Sequence, residues 1–151
     1  MLITGTFSRA VDEKLRFTVP KEFREALGQI HGGVFYLAPG TDGSLGLYDE
    51  SSFSAMAERL ADASPTGADV RAFGRLFYAQ ARRVELDKSG RLRIPTELAE
   101  WAGLGKEAVL VGVGSHLEVW EPTRWQSYVA GKRSHYDQIA EAAFERTGKS
   151  P

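Results

Sequence analysis

The feature that most constrains the fold is an internal repeat. Residues 11–23, VDEKLRFTVPKEF, align with residues 86–98, LDKSGRLRIPTEL, at a constant offset of 75 positions. Aspartate, arginine, proline and glutamate coincide in the two segments, and the apolar positions coincide in type. A second match, at an offset of 72 positions, relates residues 45–53 to residues 117–125. The chain is therefore predicted to be a tandem duplication of about 50 residues with different inserts.

Each copy has the pattern of a strand, a tight turn, a second strand, a short helix and a β-hairpin. In the second copy the turn is expected at 87–90, because Gly90 can adopt a positive φ and Asp87 can accept hydrogen bonds from its own downstream backbone. Apolar and basic residues alternate over 91–94, so that one face of this strand is expected in the core and the other against solvent or a ligand. In both copies a proline opens the next helix and a glycine ends it, at Pro20 and Gly28 and at Pro95 and Gly103.

Two hairpins and several helices complete the expected elements. The hairpins are expected across glycine-containing turns, at 34–37 with 45–48 and at 109–113 with 117–120. Apolar residues at helical spacing predict two helices between the copies. The first follows an Asp49 N-cap and has the stripe Phe53, Met56, Ala57 and Leu60, and the second has the stripe Val70, Phe73 and Phe77. A last helix is expected from Pro122, with its periodicity continuing past Gly131. Since one copy buries too little apolar surface to fold alone, both copies are expected to share one core.

Composition excludes several classes of protein. With 42% hydrophobic and 26% charged residues, the 151-residue chain is typical of a globular domain rather than a disordered one. Its apolar runs, such as 108–113, are far shorter than the roughly 20 residues that cross a bilayer, and we expect no signal peptide at 1–5. The chain has no cysteine, which excludes disulfides and thiolate zinc sites and fits a cytoplasmic location.

The charged residues are unevenly distributed. Residues 9–24 carry a net charge of +2 and residues 82–93 one of +3, so the formal total of −1 leaves −6 for the rest of the chain. Arginines on a strand-turn-strand tip can reach phosphates and guanine edges in a DNA major groove. The candidate base contacts are Arg16 and Arg91, and the candidate backbone contacts are Lys14, Lys21, Lys88 and Arg93.

A simpler interpretation is available for each of these residues. Arg16 and Arg91 could merely form local salt bridges with Asp12 and Asp87, which is the more common role of a charged turn. The helical Arg71 and Arg75 could face DNA, a neighbouring subunit or, most simply, solvent. A set of five aromatic residues could form an interface, although core packing is the expected use for most of them. The set is Phe53, Trp101, Trp120, Trp125 and Tyr128.

Patterns of known enzymes are weak in this sequence. His31, His116 and His135 are isolated from one another and from carboxylate clusters, so no metal site is expected. The glycines at 112–114 lack the third glycine and the helix of a dinucleotide-binding loop, and we find no nucleophile elbow. We therefore expect no catalysis, no cofactor and no small-molecule substrate.

Taken together, these motifs resemble the MraZ family, whose members contain two SpoVT-AbrB repeats. The resemblance covers residues 5–128. It rests on two D-x-x-x-R elements, at 12–16 and 87–91, each followed four residues later by proline, on the segment RAFGRLF at 71–77, and on LEVW at 117–120. The boundaries expected from it are repeat 1 at 1–53, a helical connection at 54–78, repeat 2 at 79–125, a helical extension at 126–147 and a tail at 148–151.

The resemblance implies an α+β fold in which the two repeats form a double-split, swapped-hairpin β-barrel with peripheral helices. It also implies a ring-like homo-oligomer in the cytoplasm, associated with the nucleoid and not with a membrane. Members of the family regulate transcription of their own division and cell-wall gene cluster, by binding short direct repeats of double-stranded DNA. By position, Arg16 and Arg91 inherit the DNA contacts, and Asp12 and Asp87 inherit the ordering of the loops, which in the second copy also uses Gly90.

One residue departs from the D-x-x-G-R pattern of the family. Leu15 stands where the second copy has Gly90, and leucine at positive φ costs about 1 kcal/mol or more. The first turn is therefore expected either to adopt another conformation or to expose an apolar side chain, with altered DNA affinity. The alternative function is an antitoxin-like or purely structural module of the same fold, which would bind a protein partner or assemble into a ring with weak or no DNA binding.

Overall fold

The computed structural model describes residues 2–26 and 33–148. Gly28, the expected end of the first short helix, and His31 lie outside these residues. The chain divides into two compact units, Met1–Glu121 and Pro122–Pro151. Both copies of the repeated strand-turn-strand segment fall within the first unit.

Strands of the first unit follow the predicted order in both copies. The first copy contributes β1 (Thr6–Ala10), β2 (Arg16–Thr18), β3 (Val34–Pro39) and β4 (Leu45–Asp49), and the second contributes β5 (Arg82–Glu85), β6 (Arg91–Arg93), β7 (Glu107–Gly112) and β8 (Leu117–Trp120). The helices of this unit are α1 (Lys21–Ala26), α2 (Glu50–Ala61), α3 (Ala68–Gln80) and α4 (Thr96–Ala102).

The two copies are interleaved through their strands. Among the described residues, six strands form an antiparallel sheet in the order β1-β7-β8-β4-β3-β5, and β2 pairs separately with β6. Four of these pairings join one copy to the other, namely β1 with β7, β2 with β6, β3 with β5 and β4 with β8. The fold is thus α+β with antiparallel sheets. Strand pairing in the described part of the chain leaves β1 and β5 as sheet edges and does not close a barrel.

A single large core draws on both copies, as expected from the small size of each. It combines buried residues of the first copy (Phe17, Val19, Phe23, Phe35, Leu37) with buried residues of the second (Leu92, Ile94, Leu98, Leu110, Leu117). Leu92 and Ile94 are buried while Arg93 between them is exposed, so the alternation predicted for this strand is confirmed. Because neither copy supplies this core by itself, the first unit is expected to unfold as one cooperative body.

Helices α2 and α3 carry a second, smaller apolar cluster. Asp49 caps α2 as predicted, since its side chain accepts a hydrogen bond from the Ser52 backbone N at 2.8 Å. Phe53 and Met56 pack against a buried cluster that includes Phe77. The stripe predicted on α3 is buried only at Phe77, since Phe73 is 44% exposed and Val70 is partly exposed.

The second unit is helical, and none of its residues from 122 to 148 is buried. It consists of α5 (Pro122–Lys132), a 3-10 turn at Arg133–His135 and α6 (Tyr136–Thr147). The predicted periodicity past Gly131 is therefore interrupted by the 3-10 turn. Of the aromatic set expected mostly in the core, Trp120 is buried and Phe53 packs against the smaller cluster, whereas Trp101 and Tyr128 are exposed. None of the described helices is long and apolar enough to cross a membrane.

Candidate nucleic-acid interface

The first D-x-x-x-R element forms a tight loop between β1 and β2 that is held together by Asp12. Oδ1 of this aspartate accepts hydrogen bonds from the backbone N of Lys14 and of Arg16, both at 2.9 Å. Its backbone N donates to the Arg16 carbonyl at 2.9 Å, and its carbonyl accepts from the Leu15 N at 2.9 Å. Its Oδ2 accepts a further bond from Arg16 Nε at 2.8 Å. One carboxylate thus fixes both the backbone of the loop and its arginine.

The loop of the second copy, between β5 and β6, repeats this network. Asp87 Oδ1 accepts from the backbone N of Ser89 and of Arg91 at 2.9 Å, and Oδ2 accepts from Arg91 Nε at 2.8 Å. The Asp87 N donates to the Arg91 carbonyl at 2.9 Å, and Gly90 N donates to the Asp87 carbonyl at 3.0 Å. Gly90 has a φ of 76°, the positive value that its turn was predicted to need. The two loops therefore have the same construction although their sequences differ.

Leu15 adopts the same turn conformation as its counterpart Gly90. Its φ is 60°, so the expectation of a different conformation in the first loop is wrong. The alternative expectation, an exposed apolar side chain, is also wrong, because Leu15 is half-buried and packs against the main core. This packing and the Asp12 hydrogen bonds offset the cost of a left-handed leucine, which is about 1 kcal/mol or more.

Pairing of β2 with β6 joins the two loops into one two-stranded ribbon. Arg16 is opposite Arg93, Phe17 is opposite Leu92 and Thr18 is opposite Arg91. Directly opposed residues of an antiparallel pair project from the same face. The arginines and Thr18 therefore share one face, while Phe17 and Leu92, both fully buried, share the other.

Each loop arginine uses only part of its guanidinium in the ion pair. The Arg16 side chain remains 28% exposed and that of Arg91 37% exposed, and both bind their aspartate through Nε. Within the described residues, neither arginine makes a hydrogen bond through its terminal nitrogens. Because Asp12 and Asp87 also fix the loop backbone, the ion pairs orient the arginines and leave their outer edges open to an acceptor.

Both aspartates are ionised under neutral conditions. The backbone hydrogen bond from Arg16 is the main factor that lowers the pKa of Asp12 below its ordinary value, with further lowering by the Arg16 side chain and partial opposition from burial. The pKa of Asp87 is lowered by the corresponding bonds from Arg91 and Ser89. The charged form is the one that can accept every hydrogen bond in each loop, so the loops keep their geometry over the neutral range.

The four other predicted contacts are all exposed. Lys14 and Lys88 are exposed within the two loops, and Arg93 is exposed on β6. The Lys21 side chain, at the start of α1, is 73% exposed, and its Nζ lies 3.7 Å from Glu25 Oε1. A groove of about 670 Å³ lies beside the first loop, lined by residues 11–16 with Gly105 and Lys106.

Two further cations near the ribbon were not predicted as site residues. Arg9 donates from Nε to the Thr18 carbonyl at 3.2 Å, which brings its charge to the edge of β2. Lys106 is exposed in the groove beside the first loop, where its carbonyl accepts from Val11 N at 2.8 Å. Arg9 lies within the basic segment 9–24, which was the available signal. Lys106 is brought close to the first loop only by the tertiary fold, so no local sequence pattern could have identified it.

Two arginines of α3 and one histidine were considered for other roles. Arg71 is exposed and donates from Nη1 to the Thr66 carbonyl, and Arg75 is exposed on the same helix. His116 stacks on Tyr48 with ring centroids 4.3 Å apart, and burial lowers its pKa. The described residues contain no group of three His, Cys, Asp or Glu side chains suited to a metal ion.

Comparison with known proteins identifies relatives that match most of the chain. A family model described as "MraZ protein, putative antitoxin-like" matches twice, at residues 2–76 and 77–147. A protein of Alkaliphilus oremlandii named transcriptional regulator MraZ is 38% identical over 95% of this chain and 98% of its own length. Proteins of the same name from Acetivibrio thermocellus and Thermomicrobium roseum are 39% and 40% identical, over 91% and 82% of this chain and 93% and 84% of their own lengths. The double match agrees with the internal repeat found in the sequence.

Proposed function

Because the chain belongs to the MraZ family, we propose that it is a transcriptional regulator that binds double-stranded DNA through the ribbon formed by β2 and β6. Its relatives are named transcriptional regulators. The observation that carries the proposal is the pairing register, which has Arg16, Arg91 and Arg93 on one face and buried apolar residues on the other. A surface of this kind is both cationic and rigidly mounted on the core.

A two-stranded ribbon has the right dimensions for the major groove of B-DNA. Arg16 and Arg91, each held at Nε by an aspartate, present their terminal nitrogens toward O6 and N7 of guanine or toward phosphates. Lys14, Lys21, Lys88 and Arg93 contact phosphates and set the position of the ribbon on the duplex. Asp12, Asp87 and Gly90 keep the loops in the binding geometry.

Binding by a single subunit is too weak for a specific regulator. Each good base contact discriminates between sequences by only about 1 to 3 kcal/mol. A ring-like oligomer on short direct repeats multiplies these contacts through effective concentration. We therefore propose a ring built from double-split, swapped-hairpin β-barrels, which acts in the cytoplasm at the nucleoid, on the promoter of its own division and cell-wall gene cluster. In this proposal the repeats 1–53 and 79–125 form each barrel, and residues 54–78 form the helical connection between them.

The proposal is tested by binding to DNA from upstream of its own gene. In mobility-shift titrations, we expect affinity to fall by at least about 100-fold between roughly 50 and 200 mM salt, because phosphate contacts release counterions. Oligomer mass is measured on the same samples. Affinity that does not change with salt, or equal affinity for unrelated DNA of the same length, would contradict the proposal.

A second candidate function is supported by the family description, which includes the term antitoxin-like. In that case the chain would bind a partner protein through the exposed apolar residues of α3, such as Phe73 and Leu76. The two functions are distinguished by DNA binding of the purified chain at moderate salt. Specific retardation without any partner favours the regulator, and assembly without DNA affinity favours the interaction module.

A further inference from the structure

Gly90 lies at the turn of the second loop and is nevertheless buried. Arg24 of α1 covers it. A Cβ atom at residue 90 would lie 2.8 Å from Arg24 Nη1, 2.9 Å from Cζ and 3.2 Å from Nη2. These similar distances mean that the flat guanidinium faces the Gly90 Cα, an approach that any side chain at this position would block.

The Arg24 side chain has an unsatisfied hydrogen-bond donor. Within the described residues it forms no salt bridge, and its Nε is buried without a hydrogen-bond partner. The helix that carries it is fixed, because Phe23 is buried and stacks on Phe35 with ring centroids 5.7 Å apart. An arginine whose buried Nε lacks an acceptor carries a desolvation cost, which an anionic partner would offset.

The first loop has no equivalent cation at this position. The 75-residue offset that relates Leu15 to Gly90 also relates Arg24 to Ala99, a buried alanine of α4. Leu15 fills space against the core that contains Ala99, whereas Gly90 leaves space for Arg24. From the first copy to the second, the loop residue therefore changes from leucine to glycine, and the corresponding helix residue changes from arginine to alanine.

We propose that Arg24 is a third arginine of the DNA-binding surface, and that it contacts a phosphate of the strand held by the second loop. The inference depends on the proposed DNA binding. A phosphate is favoured over a base because Arg24 lies flat at the turn glycine and not on the outer ribbon face, and because phosphates are the acceptors that position a protein on DNA. The two loops are then unequal, with the second carrying the additional backbone contact.

The test compares Arg24→Ala with the wild type on the upstream DNA and on unrelated DNA. We expect about a tenfold loss of affinity on both sequences and a salt dependence weakened by about one ion per engaged subunit. Arg24→Lys, which retains the charge, is expected to restore part of the loss. Arg59→Ala removes an exposed arginine from α2, away from the ribbon, and is the matched control, expected to bind within about twofold of wild type.

Gly90→Asn provides a second, independent variant. Asparagine tolerates positive φ, but its Cβ displaces the Arg24 guanidinium, so we expect a similar loss of affinity. In the Arg24→Ala background the same change is expected to have little further effect, since there is no guanidinium to displace. Thermal unfolding of every variant reports whether the fold is retained.

Each outcome decides between the inference and its premise. If the wild type binds upstream DNA and Arg24→Ala and Gly90→Asn each bind it as tightly as the wild type, Arg24 does not contact DNA and the proposed function stands. Additive losses in the double variant would show that Gly90→Asn does not act by displacing the Arg24 guanidinium, and the arrangement on which the inference rests would be wrong. Losses that follow a lower unfolding temperature and are not restored by lysine would assign Arg24 a structural role and overturn the inference. If the wild type binds no DNA, the proposed function itself fails.

Discussion

The double variant Arg16→Ala/Arg91→Ala is expected to lose about 100-fold or more in affinity for the upstream DNA while remaining folded. Each arginine provides a contact that discriminates by about 1 to 3 kcal/mol, and a factor of ten corresponds to about 1.4 kcal/mol. The backbone hydrogen bonds of Asp12 and Asp87 do not involve the removed side chains, so both loops keep most of their order. Binding is measured by mobility shift at fixed salt.

Arg59→Ala/Arg146→Ala is the matched control for this result. It removes the same charge from exposed positions on α2 and α6 and is expected to weaken binding only slightly, through the long-range field. The two single variants at the loops are expected to lose similar amounts, because both loops have the same hydrogen-bond network. If the double variant at the loops behaves like the control, the loops are not part of the DNA interface.

A second large effect is expected on stability. Phe17 and Leu92 are opposite one another in the β2–β6 pair, come from different copies and are fully buried in the same core. Phe17→Ala is expected to lower the free energy of unfolding by about 3 to 5 kcal/mol and Leu92→Ala by about 2 to 5 kcal/mol. Since the core is shared, each change is expected to shift a single transition of the first unit, measured by denaturant titration with circular dichroism and tryptophan fluorescence.

Ser54→Ala, an exposed change on α2, is the control for this experiment and is expected to alter the free energy of unfolding by less than about 0.5 kcal/mol. If the unfolding curves from circular dichroism and from tryptophan fluorescence coincide, both probes follow the same transition. Two resolved transitions, of which Phe17→Ala moves one and Leu92→Ala the other, would show that the copies fold separately and would remove the shared core from the account.

Local features of the structure could be predicted because their causes lie close together in the sequence. The second loop needs an aspartate acceptor at 87 and a glycine at 90, and both were visible in the turn sequence. Helix α4 begins after Pro95 and ends at Gly103, whose φ of 64° marks the end of the helix. The cap of α2 likewise required only Asp49 and the residues that follow it.

The arrangement of the candidate site depends on contacts that no local pattern contains. The register that sets Arg16 opposite Arg93 follows from how the two copies interleave, which periodicity within one copy does not determine. Leu15 was expected either to avoid the glycine-like turn or to expose its side chain, but the Asp12 network and packing against the core outweigh its local preference. The position of Arg24 over Gly90 joins a helix of one copy to the loop of the other and appears only in three dimensions.

The most direct test of the central claim is a proximity measurement at the tip of the second loop. Ser89 is exposed there, and the chain has no cysteine, so Ser89→Cys creates a single attachment point for an iron–EDTA cleavage reagent. We expect this conjugate to cut upstream DNA at short, repeated positions inside the protected region, and a Ser54→Cys conjugate on α2 to cut weakly and without pattern. A Ser89→Cys conjugate that still binds the DNA but cuts it no more than the Ser54→Cys conjugate would contradict the claim that the arginine loops face the duplex.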